Sequence, residues 1–234
     1  MPDGEEKEQL FDTWPEVYDR WFTTPIGTLV KKYESELLLD LLRPRPGEVI
    51  LDGGSGTGIF TLDLCALGTR VIGLDLSRPM LLRARRKAAG CRFEPVVADM
   101  ACLPFHGEIF DRTVSVTALE FIQDGEGAVR ELFRVTKAGR AIVVATLNRL
   151  SPWASRRKAE AEKGHPLFQK VIFRSPDELA SLAPIEGDIE TAIHFQKDEN
   201  PEKAPGIETD GRKRRLNTGA FVAVRWIKPG RRYT

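Results

Sequence analysis

The amino-acid sequence predicts an α/β fold: a seven-stranded, mostly parallel sheet that finishes in an antiparallel C-terminal hairpin, with helices on both faces. Three observations lead there. Five short apolar runs alternate with stretches of helical periodicity, the pattern of βαβ units joined by right-handed crossovers. The first three runs each close on an aspartate, and the first leads straight into a glycine-rich turn. Two more strand-like runs, 188–196 and 219–227, flank a charged stretch, as the two arms of a hairpin would.

The elements follow in order. The first dozen residues are charged and expected to be loose. Residues 14–24 gather Trp14, Tyr18, Trp21 and Phe22. Val30, Tyr33, Leu37 and Leu41 then recur at helical spacing, and the helix should stop near Leu42 because Pro44 and Pro46 disfavour helix before them. Residues 48–52 read as a strand, 59–67 as a helix and 70–75 as a second strand. Ser77 should cap the next helix, with Pro79 in its first turn. Strands at 93–98 and 111–116 follow, then a helix over 126–137 with Gly139 just past its end, then a strand at 140–146. After Leu147 the rhythm changes, and 148–174 reads as an irregular, charged insertion carrying Trp153, His165 and Phe168. Ser175-Pro176-Asp177-Glu178 is a helix start. Residues 198–215 hold five acidic and five basic residues with only two aliphatic ones, so they read as a long mobile loop, including the run Arg212–Arg215.

Composition bounds the partners. With 35 basic and 34 acidic residues the net charge is +1, so the chain as a whole is not an electrostatic nucleic-acid binder. No apolar run approaches the ~18 residues of a membrane helix. The acidic start Met1-Pro2-Asp3-Gly4-Glu5-Glu6 argues against a leader, and three cysteines without a C-x-x-C pair read as reduced thiols, which points to the cytoplasm. Three scattered histidines suggest no metal site.

The chemistry sits in Asp52-Gly53-Gly54-Ser55-Gly56-Thr57-Gly58. A dinucleotide fingerprint needs G-x-G-x-x-G, and in both possible registers the third glycine is missing, replaced by Ile59 or Thr61. The pattern is D-x-G-x-G-x-G instead. Glycines there let the chain turn tightly and let a ligand approach closely. Asp75 ends the second strand 23 residues later, where a carboxylate can accept both hydroxyls of a ribose. Asp99 follows after another 24 residues, placed to accept from an adenine amino group, with Met100 against the ring. In an open α/β sheet these strand ends line one crevice.

Residues 49–58, Gly73-Leu74-Asp75-Leu76-Ser77, Ala98-Asp99-Met100 through Phe105, and Phe110-Asp111 through Ser115 together resemble the ordered motifs of class I S-adenosylmethionine-dependent methyltransferases. The small-molecule type found in ubiquinone and menaquinone biosynthesis (methyltransferase type 11) is the nearest in appearance. The resemblance spans about residues 30–147. It implies a Rossmann-like fold, S-adenosyl-L-methionine as cofactor, and a binding set of Asp52, Gly53, Gly54, Gly56, Gly58, Asp75, Leu76, Asp99, Met100 and Ser115. Three departures are visible: Gly53 stands where an aliphatic residue is commoner, Ser55 where cysteine is common, and Glu120 where many relatives carry histidine. The chain reads as a single domain made of an N-terminal helical lid (1–43), a cofactor-binding core (44–147), a substrate-side insertion (148–174) and a C-terminal helix and hairpin (175–234).

Methyl transfer from a sulfonium is an in-line displacement in which the protein supplies orientation, exclusion of water and, for a hydroxyl or ammonium acceptor, a general base. Glu120, Tyr18 and His165 are the catalytic candidates. The sequence after the fourth strand, Ser115-Val116-Thr117-Ala118, lacks the N/D-P-P-Y/F motif of DNA amino-methyltransferases, and no Pro-Cys dipeptide occurs. These absences favour a small organic acceptor. The oligomeric state is not legible. Two rivals stay open: a non-catalytic cofactor-binding regulator or partner subunit, and an NAD-dependent oxidoreductase, which the glycine register disfavours. The aromatic group near residues 18–33 reads either as core or as a lid over the sulfonium.

Overall fold

The computed structural model describes residues 10–230; the expectation of a loose N-terminal segment falls largely outside the described residues. One seven-stranded sheet organises the chain. Its strands are β1 (Val49–Gly53), β2 (Arg70–Asp75), β3 (Phe93–Val97), β4 (Arg112–Val116), β5 (Ala141–Leu147), β6 (Asp188–Ala192) and β7 (Phe221–Ile227), in the spatial order β3-β2-β1-β4-β5-β7-β6. The pairings among β1 to β5 are parallel, and β7 runs antiparallel to both β5 and β6. The expected architecture, hairpin included, is present.

Alternation along the strands sends side chains to two cores. Ile50, Val71, Val114 and Val143 face one side, with Leu37, Leu41 and Leu42 of α2 (Pro25–Leu42). Leu51, Ile72, Ile142 and Val144 face the other, with Val129, Leu132 and Val135 of α5 (Gly125–Val135). The remaining helices are α1 (Pro15–Trp21), α3 (Thr61–Ala66), α4 (Arg78–Lys87), α6 (Pro152–Glu162), α7 (Pro176–Ala180) and α8 (Ala204–Lys213). Their starts follow the residues that mark them. Ser77 accepts from the Met80 amide, and Ser175 with Glu178 forms a reciprocal capping box.

Two expectations fail. The segment 148–174 is not irregular through its length: Ser151 caps α6, and Trp153 and Ala154 bury its first turn, Trp153 donating to the Phe195 carbonyl at 2.7 Å. The segment 198–215 is not a loop through its length: it contains α8. Ala204, Glu208 and Gly211 form that helix's buried stripe, with Gly211 against the His194 ring. Glu208 accepts from the His194 amide and from Arg212, so a carboxylate and a glycine anchor the helix where aliphatic residues were the expected signal. Arg212 also donates to the Tyr33 carbonyl and is not merely solvated.

Candidate active site

The order β2-β1-β4 reverses direction in sequence between β1 and β4, so a crevice opens above their carboxyl ends. The turn after β1 occupies its floor. The amides of Gly54 and Ser55 both donate to the Leu74 carbonyl, at 2.7 and 2.9 Å, which hooks the turn onto β2. Gly54, Gly56 and Gly58 have φ of +73°, +53° and +77°. A Cβ on Gly54 would stand 2.2 Å from the Ala118 Cβ, so that glycine is demanded by the protein itself. A Cβ on Gly56 would meet no protein atom within 4 Å. Gly56 thus borders open space, a cradle for a ligand's approach, and the nearby Ser55 hydroxyl is buried without a partner among the described residues.

Asp52 is buried and accepts from the Thr61 hydroxyl at 2.5 Å; burial pushes its carboxyl up to about 6. Asp75 accepts from the Gly56 amide and the Ser77 amide, both at 2.9 Å, so it braces the glycine turn while each oxygen keeps acceptor capacity. Leu76 is exposed beside it, and Asp99 is exposed at the mouth, accepting from the Ala101 amide at 2.8 Å. Met100 and Ser115 differ from the expectation of a ligand-facing surface. The Met100 side chain is buried in the core with Leu132, its sulfur 2.6 Å from where a Gly53 Cβ would stand. It supports the turn from below and explains why glycine replaces the commoner aliphatic residue at 53. Ser115 is buried inside β4, its hydroxyl without a partner among the described residues.

Across the crevice lies a second group of side chains. Tyr18 of α1 stands 3.5 Å from the Thr117 hydroxyl, at the end of β4. Glu120 is buried and accepts from Thr146 at 2.9 Å, and burial pushes its carboxyl up to about 7. Glu34 of α2 is buried nearby, and burial pushes it up to about 8. Arg157 of α6 lies over the rings of Trp153 and Phe168, at 5.2 and 6.0 Å from their centroids. Of the three catalytic candidates, Tyr18 and Glu120 fall in this group; His165 lies at its rim, stacked on Phe168 at 4.2 Å.

Sequence reasoning missed Glu34, Thr117, Arg157 and Asp19. Asp19 fastens α1 over the glycine turn: it accepts from Thr57 at 2.5 Å and pairs with Arg83 and Lys87 of α4. The signal for Glu34 was present, since it occupies the apolar register Val30, Glu34, Leu37, Leu41 of its helix.

The comparisons agree with this geometry. Residues 51–144 match the Methyltransferase domain family model. A demethylmenaquinone methyltransferase of Clavibacter sepedonicus is 32% identical over 177 residues, 74% of this chain and 68% of that one. A malonyl-[acyl-carrier protein] O-methyltransferase of Salmonella typhimurium is 33% identical over 118 residues, 50% of this chain and 46% of its own length. The chain thus spans less than half the length of the first curated relatives it matches. A crystal structure from Thermotoga maritima, described as a methyltransferase using S-adenosylmethionine and a possible histamine N-methyltransferase, superposes with a TM-score of 0.69 at 24% identity, covering 93% of this chain and 97% of that one. Fold, glycine turn and relatives converge: the chain belongs to the S-adenosylmethionine-dependent methyltransferase family.

Proposed function

We propose that this protein transfers a methyl group from S-adenosyl-L-methionine to a small organic acceptor. One observation carries the reading: a left-handed glycine turn, braced by Asp75, faces open space opposite a buried cluster of acid, phenol and guanidinium groups. When bound, the cofactor supplies an already activated methyl group. Asp52, Gly53, Gly54, Gly56 and Gly58 with Ser55 would hold its amino-acid end, Asp75 its ribose and Asp99 with Leu76 its adenine. Met100 and Ser115 would act on the binding site from within the core.

The rest of the chemistry belongs to the protein. Residues 10–43 act as a lid, with Tyr18, Trp21 and Phe22 walling the acceptor and Asp19 holding α1 shut. Such closure excludes water and sets the attack angle. Glu120, raised to about 7, suits a general base that takes a proton from a hydroxyl or ammonium acceptor near neutral pH. His165 at the rim serves orientation better than proton transfer. The free cysteines Cys65, Cys91 and Cys102 support work in the reducing cytoplasm. No helix among the described residues is long and apolar enough to cross a membrane.

The names of the relatives, a demethylmenaquinone methyltransferase and a malonyl-[acyl-carrier protein] O-methyltransferase, support an organic acceptor. Incubation with radiolabelled S-adenosylmethionine and fractionated cell extract tests the reading. Label should appear in a low-molecular-weight fraction. Calorimetric binding of S-adenosylhomocysteine without any labelled product in any fraction would favour the regulator instead.

A further inference from the structure

Arg157 is the feature of the site that the general chemistry of methyl transfer does not use. Its Nη1 is buried and has no hydrogen-bond partner among the described residues. A guanidinium can only donate, and a buried donor left unsatisfied is costly, so such an atom marks the place of an absent acceptor. Glu34 and Glu120 act on Arg157 through their charge, yet neither bonds to it; Glu120 already accepts from Thr146. The guanidinium lies over Trp153 and Phe168, whose rings give the position an apolar floor. Its helix follows β5 in the chain, and its charge is felt by Glu34 and Glu120 of the group across the crevice.

We propose that Arg157 is the specificity residue of the acceptor pocket and that the acceptor is an organic acid, its carboxylate seated on the Arg157 guanidinium. This deepens the methyltransferase reading and rests on it. Planar guanidinium and carboxylate match in a two-bond fork, which fixes the orientation of a small acceptor as well as its affinity. An amine acceptor fits less well. It would meet the positive charge of Arg157.

The test is equilibrium titration, with and without saturating S-adenosylhomocysteine, using benzoate, 3-phenylpropanoate and octanoate, each beside its primary amide and the amine of equal length. At least one carboxylate should bind saturably, at least about tenfold tighter than its amide, the effect of one charge-assisted pair. In Arg157→Gln that preference should vanish while S-adenosylhomocysteine affinity is unchanged; Arg157→Lys should restore part of it, which a merely structural arginine would not show. Binding by none of the carboxylates, tighter binding of an amine, or a carboxylate preference that survives in Arg157→Gln overturns the proposal. Loss of S-adenosylhomocysteine binding in the unmodified protein strikes the methyltransferase reading alone, because the ligand-free titration still reports on Arg157.

Discussion

The two walls of the crevice are built in different ways. On the β1–β2 side the groups facing the cradle are mostly backbone. Three glycines have positive φ, and a carboxylate braces the turn by accepting amides from Gly56 and Ser77. On the β4–β5 side the groups are long side chains delivered from four separate elements: Tyr18 from α1, Glu34 from α2, Glu120 from the turn after β4, and Arg157 from α6. The first wall suits a ligand that never changes, since backbone geometry is set by local sequence and tolerates little variation. The second can be retuned one side chain at a time without disturbing the sheet. A methyltransferase needs this division: one donor, and an acceptor that differs from relative to relative.

The comparison breaks most sharply at Gly56. Valine there must adopt a left-handed conformation, at about 1–2 kcal/mol, and its branches enter the space the ligand needs. Gly56→Val should stay folded, with a modestly lower melting temperature, and lose S-adenosylhomocysteine binding altogether in calorimetry. A folded variant with unchanged affinity would show that the turn is not the binding wall.

Asp75 sharpens the same wall. Its oxygens each accept one amide and keep room for a ribose hydroxyl. Asp75→Ala should weaken S-adenosylhomocysteine at least about tenfold, since hydrogen bonds to a charged group contribute about 1.5–3 kcal/mol each and 1.4 kcal/mol is a factor of ten. Asp75→Asn, which keeps one acceptor oxygen, should fall between. NAD should show no saturable binding; micromolar NAD binding with none of S-adenosylhomocysteine would restore the oxidoreductase.

The acceptor wall should respond to pH instead. Burial raises Glu34 from an unfolded value near 4.5 to about 8, with Glu120 adding to the rise and Arg157 and Lys31 opposing it. A carboxyl that holds its proton more tightly when folded stabilises the protein fully below the unfolded value, and that stability is lost as pH rises through the folded one. Wild type should therefore lose stability between about pH 4.5 and 8. Glu34→Gln, which cannot ionise, should melt about 2–4 °C higher than wild type at pH 9, the shift expected for roughly 1 kcal/mol in a chain of this size, and no higher at pH 4.5. Glu120→Gln should lower kcat and remove the rising limb that Glu120 places near pH 7.

The same division decided what could be read in advance. Local signals carried the sheet, the caps at Ser77 and Ser175, the glycine turn and the three strand-end aspartates, because each depends on residues close in sequence. Met100 escaped because its burial follows from the absence of a side chain at Gly53, a tertiary fact. The helix α8 escaped because its buried face consists of Ala204, Glu208 and Gly211, a stripe with no aliphatic periodicity. Arg157 escaped because nothing local separates a half-buried arginine from its exposed neighbours Arg156 and Lys158. Only Glu34, polar in an apolar register, was within reach of pattern reading.

The smallest expected effect lies at the seam between the walls. Burial pushes the Asp19 carboxyl up, but hydrogen bonds from Thr57, Arg83 and Lys87 outweigh it and hold it below the usual range. These bonds tie α1 to both the glycine turn and α4 through one side chain. Arg83 and Lys87 are partly exposed, which limits the loss in Asp19→Asn to about 1 kcal/mol or less. The sheet should remain intact. The segment 10–24 should be cleaved faster by protease, and S-adenosylhomocysteine should bind only a few-fold more weakly. In wild type the same ligand should slow that cleavage, because a closed cradle favours a docked α1. Equal cleavage with and without ligand, in both proteins, would mean that α1 is fixed packing and that the acceptor wall needs no moving part.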